Sequence, residues 1–322
     1  MLEVIILAAG QGRRMQSSLP KVLHTLAGQP LVVHVLERAR KLGAQQIHVV
    51  VGHGAEAVEA TVSAGDVQCH LQAEQWGTGH AVQQAIDACQ ADSTVLVLFG
   101  DVPLIAEQTL REVVSAAEAG VAMLSANLEN PSGYGRVERD PQGEFIAVVE
   151  EQDATEAQRQ LTEINTGVLA SNADALKNWL ARVDNQNAQS EFYLPDVLGL
   201  ARLDGQAVTV VCSVNVFDTL GVNSPQQLEQ LERLHQASLA DQLMTAGVLV
   251  SDRSRLDIRG RLECGRDVQL DVNVLIEGDV SLGDAVSIGA NCILRSARIG
   301  AGARILPFTH IEGAEVQSGA VI

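Results

Sequence analysis

Val4-Ile-Ile-Leu7-Ala-Ala-Gly10-Gln-Gly12-Arg-Arg-Met15 is the stretch that decides how this chain is read. It opens as a short apolar, β-branched run, the pattern of a buried strand. Gly10 and Gly12 follow at once, and glycines there let the backbone turn tightly and aim its N–H groups at a phosphate chain. Small Ala8 and Ala9 leave room for a flat base or ribose, and Arg14 with Lys21 supplies positive charge for phosphate oxygens. A dinucleotide G-x-G-x-x-G would need glycine where Met15 stands, and no Walker G-x-x-x-x-G-K-[ST] run occurs here. The spacing therefore predicts a strand followed by a phosphate-binding loop of another kind.

Outward from that loop, strand and helix signals alternate up to about Ala246. Val4–Leu7, Ile47–Val51, Val67–Leu71 and Val95–Phe99 read as strands; Leu31–Leu42, Ala55–Val62, His80–Ala91 and Glu107–Ala119 read as amphipathic helices. Such alternation predicts βαβ units and an α/β, Rossmann-like domain with a mostly parallel sheet covered on both faces. Tyr134–Arg139 and Phe145–Glu150, joined by Asp140-Pro-Gln-Gly143, read as an inserted hairpin. A helix starts firmly after Ser224, with Ser224 as N-cap, Pro225 at the first position and Gln227 placed for a capping box. Its Leu228, Leu231, Leu234, Leu239 and Leu243 form one apolar stripe, read as packing.

From about Val248 the pattern changes. Leu262, Val268, Val274, Val280, Val286 and Cys292 recur every six residues. After a one-residue slip Ile299, Ile305 and Ile311 continue, and a second slip leads to Val316 and Ile322. A six-residue aliphatic period suits neither an amphipathic helix nor a simple alternating strand. It suits a parallel β-helix in which each hexad is one side of a coil with its aliphatic residue inward. The expected organisation is a nucleotide-handling domain over 1–223, a linker helix over 224–247 and a β-helix over 248–322. Leu262 to Ile322 makes about three and a half coils of three hexads, without a capping segment, and reads as a shortened solenoid.

Composition narrows the function classes. The chain is 46% hydrophobic and 19% charged, too apolar for intrinsic disorder. No apolar run approaches the ~20 residues that span a bilayer, and the basic residues of the N-terminus follow its apolar run where a signal peptide has them first. The five cysteines lie far apart without a C-x-x-C pair, as expected for buried free thiols in a reducing compartment and not for a zinc site. A cytoplasmic protein is expected. A net charge of −18 argues against a nucleic-acid partner. The acidity is uneven: the first 41 residues hold six Lys and Arg against Glu3 and Glu37, a local +4 that leaves −22 for the rest. A basic island beside a glycine loop in an acidic chain points to a local anion site.

Further strings sharpen the reading. L-A-A-G-x-G-x-R-M with Pro20-Lys21 after it resembles the signature of sugar-1-phosphate nucleotidylyltransferases. Leu71-Gln-Ala-Glu-Gln-Trp-Gly-Thr-Gly79, Gly100-Asp-Val-Pro-Leu104, Gly133-Tyr-Gly-Arg136, Glu163-Ile-Asn-Thr-Gly167 and Gly221-Val-Asn223 occur in order before the hexads. Together they resemble the bacterial bifunctional N-acetylglucosamine-1-phosphate uridylyltransferase/glucosamine-1-phosphate N-acetyltransferase family, over essentially the whole chain.

That resemblance implies transfer of UMP from UTP to N-acetylglucosamine 1-phosphate, giving UDP-N-acetylglucosamine and pyrophosphate for peptidoglycan and lipopolysaccharide precursors. It implies that Leu7, Ala8, Ala9, Gly10 and Gly12 cradle nucleotide and that Arg14 and Lys21 hold the triphosphate. Gln72, Gly77 and Thr78 would read uracil, with Phe99 and Gly100 beside it; without the resemblance Gln72 reads as a surface strand residue. Gly135, Glu150, Asn165 and Tyr193 fall on the sugar side, with Glu151 next to Glu150 so that one of the two is expected to be solvated. Asp101 and Asn223 are the implied Mg²⁺ pair, in keeping with that ion's preference for hard oxygen ligands. The family's β-helix is left-handed and forms homotrimers; how many coils a trimer needs is left open by the sequence. Its acetyltransferase residues lie further along the β-helix, so that activity is not expected of this chain. Phe99 stands where a Tyr is familiar and Trp76 where a smaller aliphatic is, which implies altered nucleotide packing and an unchanged reaction. The eight histidines are given no role.

Overall fold

Strand β1 (Leu2–Leu7) is an interior strand of a nine-stranded sheet, and its Val4, Ile5 and Ile6 are wholly buried. The computed structural model describes residues 1–322, the side chain of Val216 apart. It divides into two units, Met1–His24 with Leu31–Asn223, and Thr25–Pro30 with Ser224–Ile322.

In the first unit, β4 (Gln46–Val51) and β6 (Thr94–Phe99) flank β1 in parallel, and β5 (Val67–Leu71) lies beyond β4. Beyond β6 come β10 (Glu163–Asn172), β7 (Gly120–Asn127) and β11 (Ala207–Cys212). Only β10 breaks the parallel run, lying antiparallel to both β6 and β7; β11 pairs with β7 in parallel. The hairpin of β8 (Arg136–Arg139) and β9 (Phe145–Val149) joins the sheet through β10. The short ribbon β2 (Thr25–Leu26) and β3 (Gln29–Pro30) is a segment of the second unit.

Both faces of the sheet are covered, as the unbroken aliphatic runs of β1, β4 and β6 require. On one face Val4 and Ile6 pack with α1 (Leu31–Lys41), α2 (Ala55–Val62) and α4 (Glu107–Ala116). On the other, Ile5 and Leu7 pack with α3 (Thr78–Ile86), α6 (Ala173–Leu180) and α7 (Asp196–Leu203). A single turn, α5 (Glu156–Arg159), is closed by a Thr155–Gln158 capping box. Helix α3 starts at Thr78, two residues before its apolar pattern, because Gly77 breaks the chain there; it also ends at Ile86, short of the expected Ala91. Strands β7, β10 and β11 had no assignment from sequence.

The longer segment of the second unit opens with α8 (Pro225–Thr245), whose N-capping Ser224 hydroxyl accepts from the Gln227 N–H. Its inner face is not purely aliphatic: Gln236 is buried and exchanges two 2.8 Å hydrogen bonds with the Ile258 backbone, as a neighbouring strand would. After it the chain coils. Leu256 pairs with Val274 and Leu275 with Ile293, eighteen residues on, while Ile293 pairs with His310, seventeen on. Leu282 likewise pairs with Ile299, seventeen on, so the seven-residue step from Cys292 to Ile299 moves onto a second inward row and does not lengthen the coil. The inward positions are double, for Val274 and Ile276, Val280 and Leu282, Val286 and Ile288 are all buried. Asn273 and Asn291 take left-handed corners at φ 58° and 61° and bond to each other side chain to side chain. All five cysteines are free; Cys292 alone is fully buried, and Cys212 is exposed, contrary to the expectation of buried thiols.

Near the amino end of β1, Glu3 is nearly inaccessible, and its carboxylate lies 3.0 Å from His48 Nε2, with His48 Nδ1 3.0 Å from His70 Nε2. Burial by itself would raise the Glu3 carboxyl, yet hydrogen bonds from Gln90 N–H, His48 and Ser93 outweigh it and hold the group below its ordinary value. Glu3 thus stabilises the fold above about pH 4.5, and this contribution is lost as pH falls through its depressed folded value. Glu3→Ala, which leaves buried donors unmatched, is expected to cost about 3 kcal/mol in urea unfolding at pH 7. The gap between variant and wild type should shrink toward pH 3; a constant gap would mean that packing, not charge, is the cause.

Candidate active site

The segments after β1, β5 and β6 converge at the carboxyl ends of the parallel strands, where β1 has β4 on one side and β6 on the other. Open α/β sheets bind ligands at such a point. There a cavity of about 250 Å³ is lined by Leu7, Ala8, Ala9, Gly10, Lys21, Gln72, Gly77, Thr78, Phe99 and Asp101. Val22, Gln75, Ala81 and Glu191 complete its wall. A larger groove of about 680 Å³ beside Val148, Arg182 and Asp196 contains none of those first ten side chains.

The first loop is tied down before it turns. Ala8 N–H donates to Val50 O and Gly100 N–H to Leu7 O, at 2.8 and 2.9 Å. Gly12 has φ +60°, and a Cβ there would sit 2.8 Å from Lys21 Cβ. Glycine at that position is therefore needed both for the left-handed turn and for the lysine that passes over it. Lys21 starts a short 3₁₀ turn whose Val22 and Leu23 are buried, so its backbone is anchored. Its ammonium donates to the Asp101 carboxylate and, at 3.0 Å, to Asn223 Oδ1. Val222 N–H donates to Asp101 O at 3.0 Å and so brings Asn223 beside Asp101. Arg14 stands apart: it is exposed and does not line the cavity, though its charge reaches Tyr134. Burial first, then Asp101, pushes the Tyr134 hydroxyl up, while Arg14 opposes them.

Gln72 is 4% exposed, not a surface residue. Its amide nitrogen is 3.1 Å from both Gly77 O and His80 Nδ1, so His80 has a structural place that the sequence reading denied it. Trp76 lies tilted on His80 at 5.0 Å and is half-exposed. Phe99 lines the cavity and lies so close to Gly167 that a Cβ there would strike its ring. Gln75, which the sequence reading passed over, donates to Ala9 O at 2.5 Å. The signal was present: it lies within the Leu71–Gly79 string.

Among the residues expected to take the sugar, Asn165 N–H donates to Gly135 O at 2.8 Å, and Asn165 Oδ1 accepts from Gly167 N–H at 2.9 Å. A Cβ at Gly135 would come within 3.0 Å of Glu150 Oε1, so the two are adjacent. The acidic neighbours are now distinguishable. Glu151 pairs at 2.8 Å with Arg136, which is 1% exposed and also bonds the Tyr134 carbonyl. Glu150 has no ion-pair partner among the described residues: burial first, then Asp196, Asp153 and Glu191, pushes it up to about 7, against a smaller opposing effect of Arg136. Tyr193 is buried and donates to Asp153 or Gln189 at 3.2 and 3.0 Å; burial and then Asp153 push its hydroxyl up. The backbone on either side of it laces onto the 76–79 loop, Phe192 N–H to Trp76 O, Gly79 N–H to Phe192 O and Leu194 N–H to Thr78 Oγ1.

A family model for MobA-like NTP transferase domains matches residues 4–185. The bifunctional protein GlmU of Paraburkholderia phytofirmans is 52% identical over 322 residues, covering 100% of this chain and 71% of that protein. GlmU of Azoarcus sp. is 51% identical over 97% of this chain and 69% of its own. The chain belongs to the GlmU family. A crystal structure from Bacillus anthracis, assigned as a glucose-1-phosphate thymidylyltransferase, superposes with a TM-score of 0.60 at 16% identity. It covers 73% of this chain and 95% of that one and bears on the fold alone. As a GlmU family member the chain is a sugar-1-phosphate nucleotidyltransferase, a class that generally uses a divalent metal. No helix among the described residues is long and apolar enough to cross a membrane.

Glu150 yields a pH prediction. Below about pH 7 its carboxyl is neutral and can donate as well as accept; above it the group ionises beside three other carboxylates. The KM for sugar 1-phosphate is expected to pass through an inflection near pH 7, with kcat much less affected. Glu150→Gln, which keeps the shape without ionising, should flatten that profile, and an unaltered inflection in the variant would assign it elsewhere.

Proposed function

We propose that this chain transfers UMP from UTP to N-acetylglucosamine 1-phosphate, releasing pyrophosphate and forming UDP-N-acetylglucosamine. The observation that carries the reading is the meeting of Lys21 with Asp101 and Asn223, 80 and 202 residues away in sequence, where Lys21 and Asp101 line the cavity. A cation against two hard oxygens beside an N–H-rich turn suits a polyphosphate and its counter-ion.

In the proposed reaction a phosphate oxygen of the sugar substrate attacks the α-phosphorus of UTP in line. The bond to the bridging α–β oxygen breaks, and pyrophosphate leaves with its electron pair. The nucleophile is already anionic, so no base or covalent intermediate is needed, and catalysis consists of positioning and charge neutralisation. Leu7, Ala8, Ala9, Gly10 and Gly12 form the nucleotide cradle, with Phe99 and Gly100 behind it. Gln72, with its amide hydrogens directed at Gly77 and His80, keeps an acceptor for the uracil N3–H. Thr78 and Gly77 close the base side, and Gln75 holds Ala9 in place. Asn165, Glu150, Gly135 and Tyr193 take the sugar.

Lys21 and Arg14 offset the charge of the triphosphate. Asp101 and Asn223 would hold Mg²⁺, a reading supported by the Lys21 ammonium already seated against both side chains. When bound there, Mg²⁺ would offset charge on the α-phosphate and the leaving group. The reaction draws on UTP, so the proposal places it in the cytoplasm, supplying precursor for peptidoglycan and lipopolysaccharide.

The test is pyrophosphate release across four nucleoside triphosphates and several sugar 1-phosphates. Release confined to UTP with N-acetylglucosamine 1-phosphate is expected. Lys21→Ala and Asp101→Ala should each cost about 3 kcal/mol in transition-state stabilisation, a loss of about two orders of magnitude in kcat/KM. Release with another pair would move the substrate assignment, and undiminished turnover in either variant would remove that residue from the mechanism.

A further inference from the structure

Resting on the reading of Asp101 and Asn223 as a cation pair, we infer that the Lys21 ammonium is a built-in occupant of that cation position. It must leave before a divalent ion can bind, so that metal entry depends on the triphosphate that draws the lysine away. Lys21 Nζ donates to the Asp101 carboxylate and to Asn223 Oδ1 at once, the two oxygens that would ligate the metal. The Lys21 and Asp101 side chains are only 14% and 13% exposed, so solvent screens the pair weakly. Two cations cannot share one carboxylate at contact distance in such a setting, because their mutual repulsion is of the same order as the attraction each would gain.

The molecule also restricts how the lysine can move. Its backbone is held by the 3₁₀ turn with Val22 and Leu23 buried, and Gly12 lies against its Cβ. What remains free is the four-carbon stem and its rotatable ammonium. That head can swing from Asp101 toward the Leu7–Gly10 turn, since Lys21, the turn and Asp101 line the same cavity. A triphosphate in the cradle offers the ammonium several anionic oxygens in exchange for one carboxylate and one carboxamide. Once it has moved, both oxygens of the pair face a cation of higher charge. Nucleotide and metal then raise each other's affinity by the same factor, as linkage requires. The same lysine thereby serves two functions in succession, as counter-charge to Asp101 in the free protein and as counter-charge to phosphate in the loaded one. The free protein avoids an uncompensated carboxylate, whose burial would be costly.

The test is Mn²⁺ binding to the full chain without nucleotide, read from the free-ion electron paramagnetic resonance signal. Lys21→Met, which keeps the stem's volume and removes its charge, is expected to bind Mn²⁺ at least about tenfold more tightly than wild type, a shift of about 1.4 kcal/mol. Lys21→Gln carries the same expectation should the methionine variant fold poorly, and Lys21→Arg, still charged, should stay as weak as wild type. Arg14→Met removes an equal but exposed charge that does not touch Asp101, and should change affinity less than about threefold because solvent screens it. A neutral Lys21 variant no tighter than wild type, whether both bind or neither does, overturns the inference. Equal gains in the Lys21 and Arg14 variants overturn it too, since general charge would then be the cause. Adding Asp101→Asn to Lys21→Met should abolish the gain; a gain that survives puts the metal elsewhere and removes the cation pair itself. A gain abolished by Asp101→Asn alongside silence in the pyrophosphate assay would keep the placeholder and sink the transferase.

Discussion

The ammonium of Lys21 against Asp101 and Asn223 is the contact on which the rest of the first unit is organised. It joins the loop after β1, the end of β6 and the segment that leads toward α8, three stretches that the chain itself keeps far apart. Each has a local reason for its position. Gly12 turns left-handed beneath the lysine, Asp101 follows a strand with its hydrophobic side chains buried, and Val222 bonds the Asp101 carbonyl so that Asn223 arrives alongside. The attraction is effective because the partners are largely removed from water.

That meeting depends in turn on the sheet. Parallel strands deliver their carboxyl ends, and hence their loops, to one edge, and β1 lies between β4 and β6 at the place where the chain reverses its direction of growth. The antiparallel β10 adds Asn165 near the same region, and the hairpin of β8 and β9 leads into Glu150. The lacing of residues 192–194 onto 76–79 gives these two segments a shared backbone frame. Displacing Tyr193 would therefore disturb Gly77 and Thr78.

Much of this was legible in the chain. The aliphatic runs, the alternation with amphipathic helices and the hexads are periodic, and periodicity is set by local backbone geometry. The parallel sheet and the coiled parallel strands accordingly match the reading from sequence, while the one-residue slip read after Cys292 proves to be a coil shortened to seventeen residues. Helix α3 was misplaced by two residues because its apolar stripe starts after its first turn. Strands β7 and β10 went unread although they are largely buried, since their neighbours in space lie far off in sequence. Arg14 was grouped with Lys21 on charge and spacing, yet the structure leaves it exposed outside the cavity.

The sequence by itself determined the types of element, their order, the glycine loop and the residues able to carry charge there, because these follow from side-chain chemistry at short range. Only the tertiary structure decided which of two adjacent glutamates is paired and which is pushed up to about 7, for that depends on Arg136 reaching Glu151 and on three other carboxylates facing Glu150. It also decided that Gln72 and His80 face each other inside the protein and that Lys21 lies on the two oxygens proposed for a metal. Burial and charge proximity are properties of three-dimensional distance, and distance between residues 80 or 202 positions apart is not encoded in any local pattern.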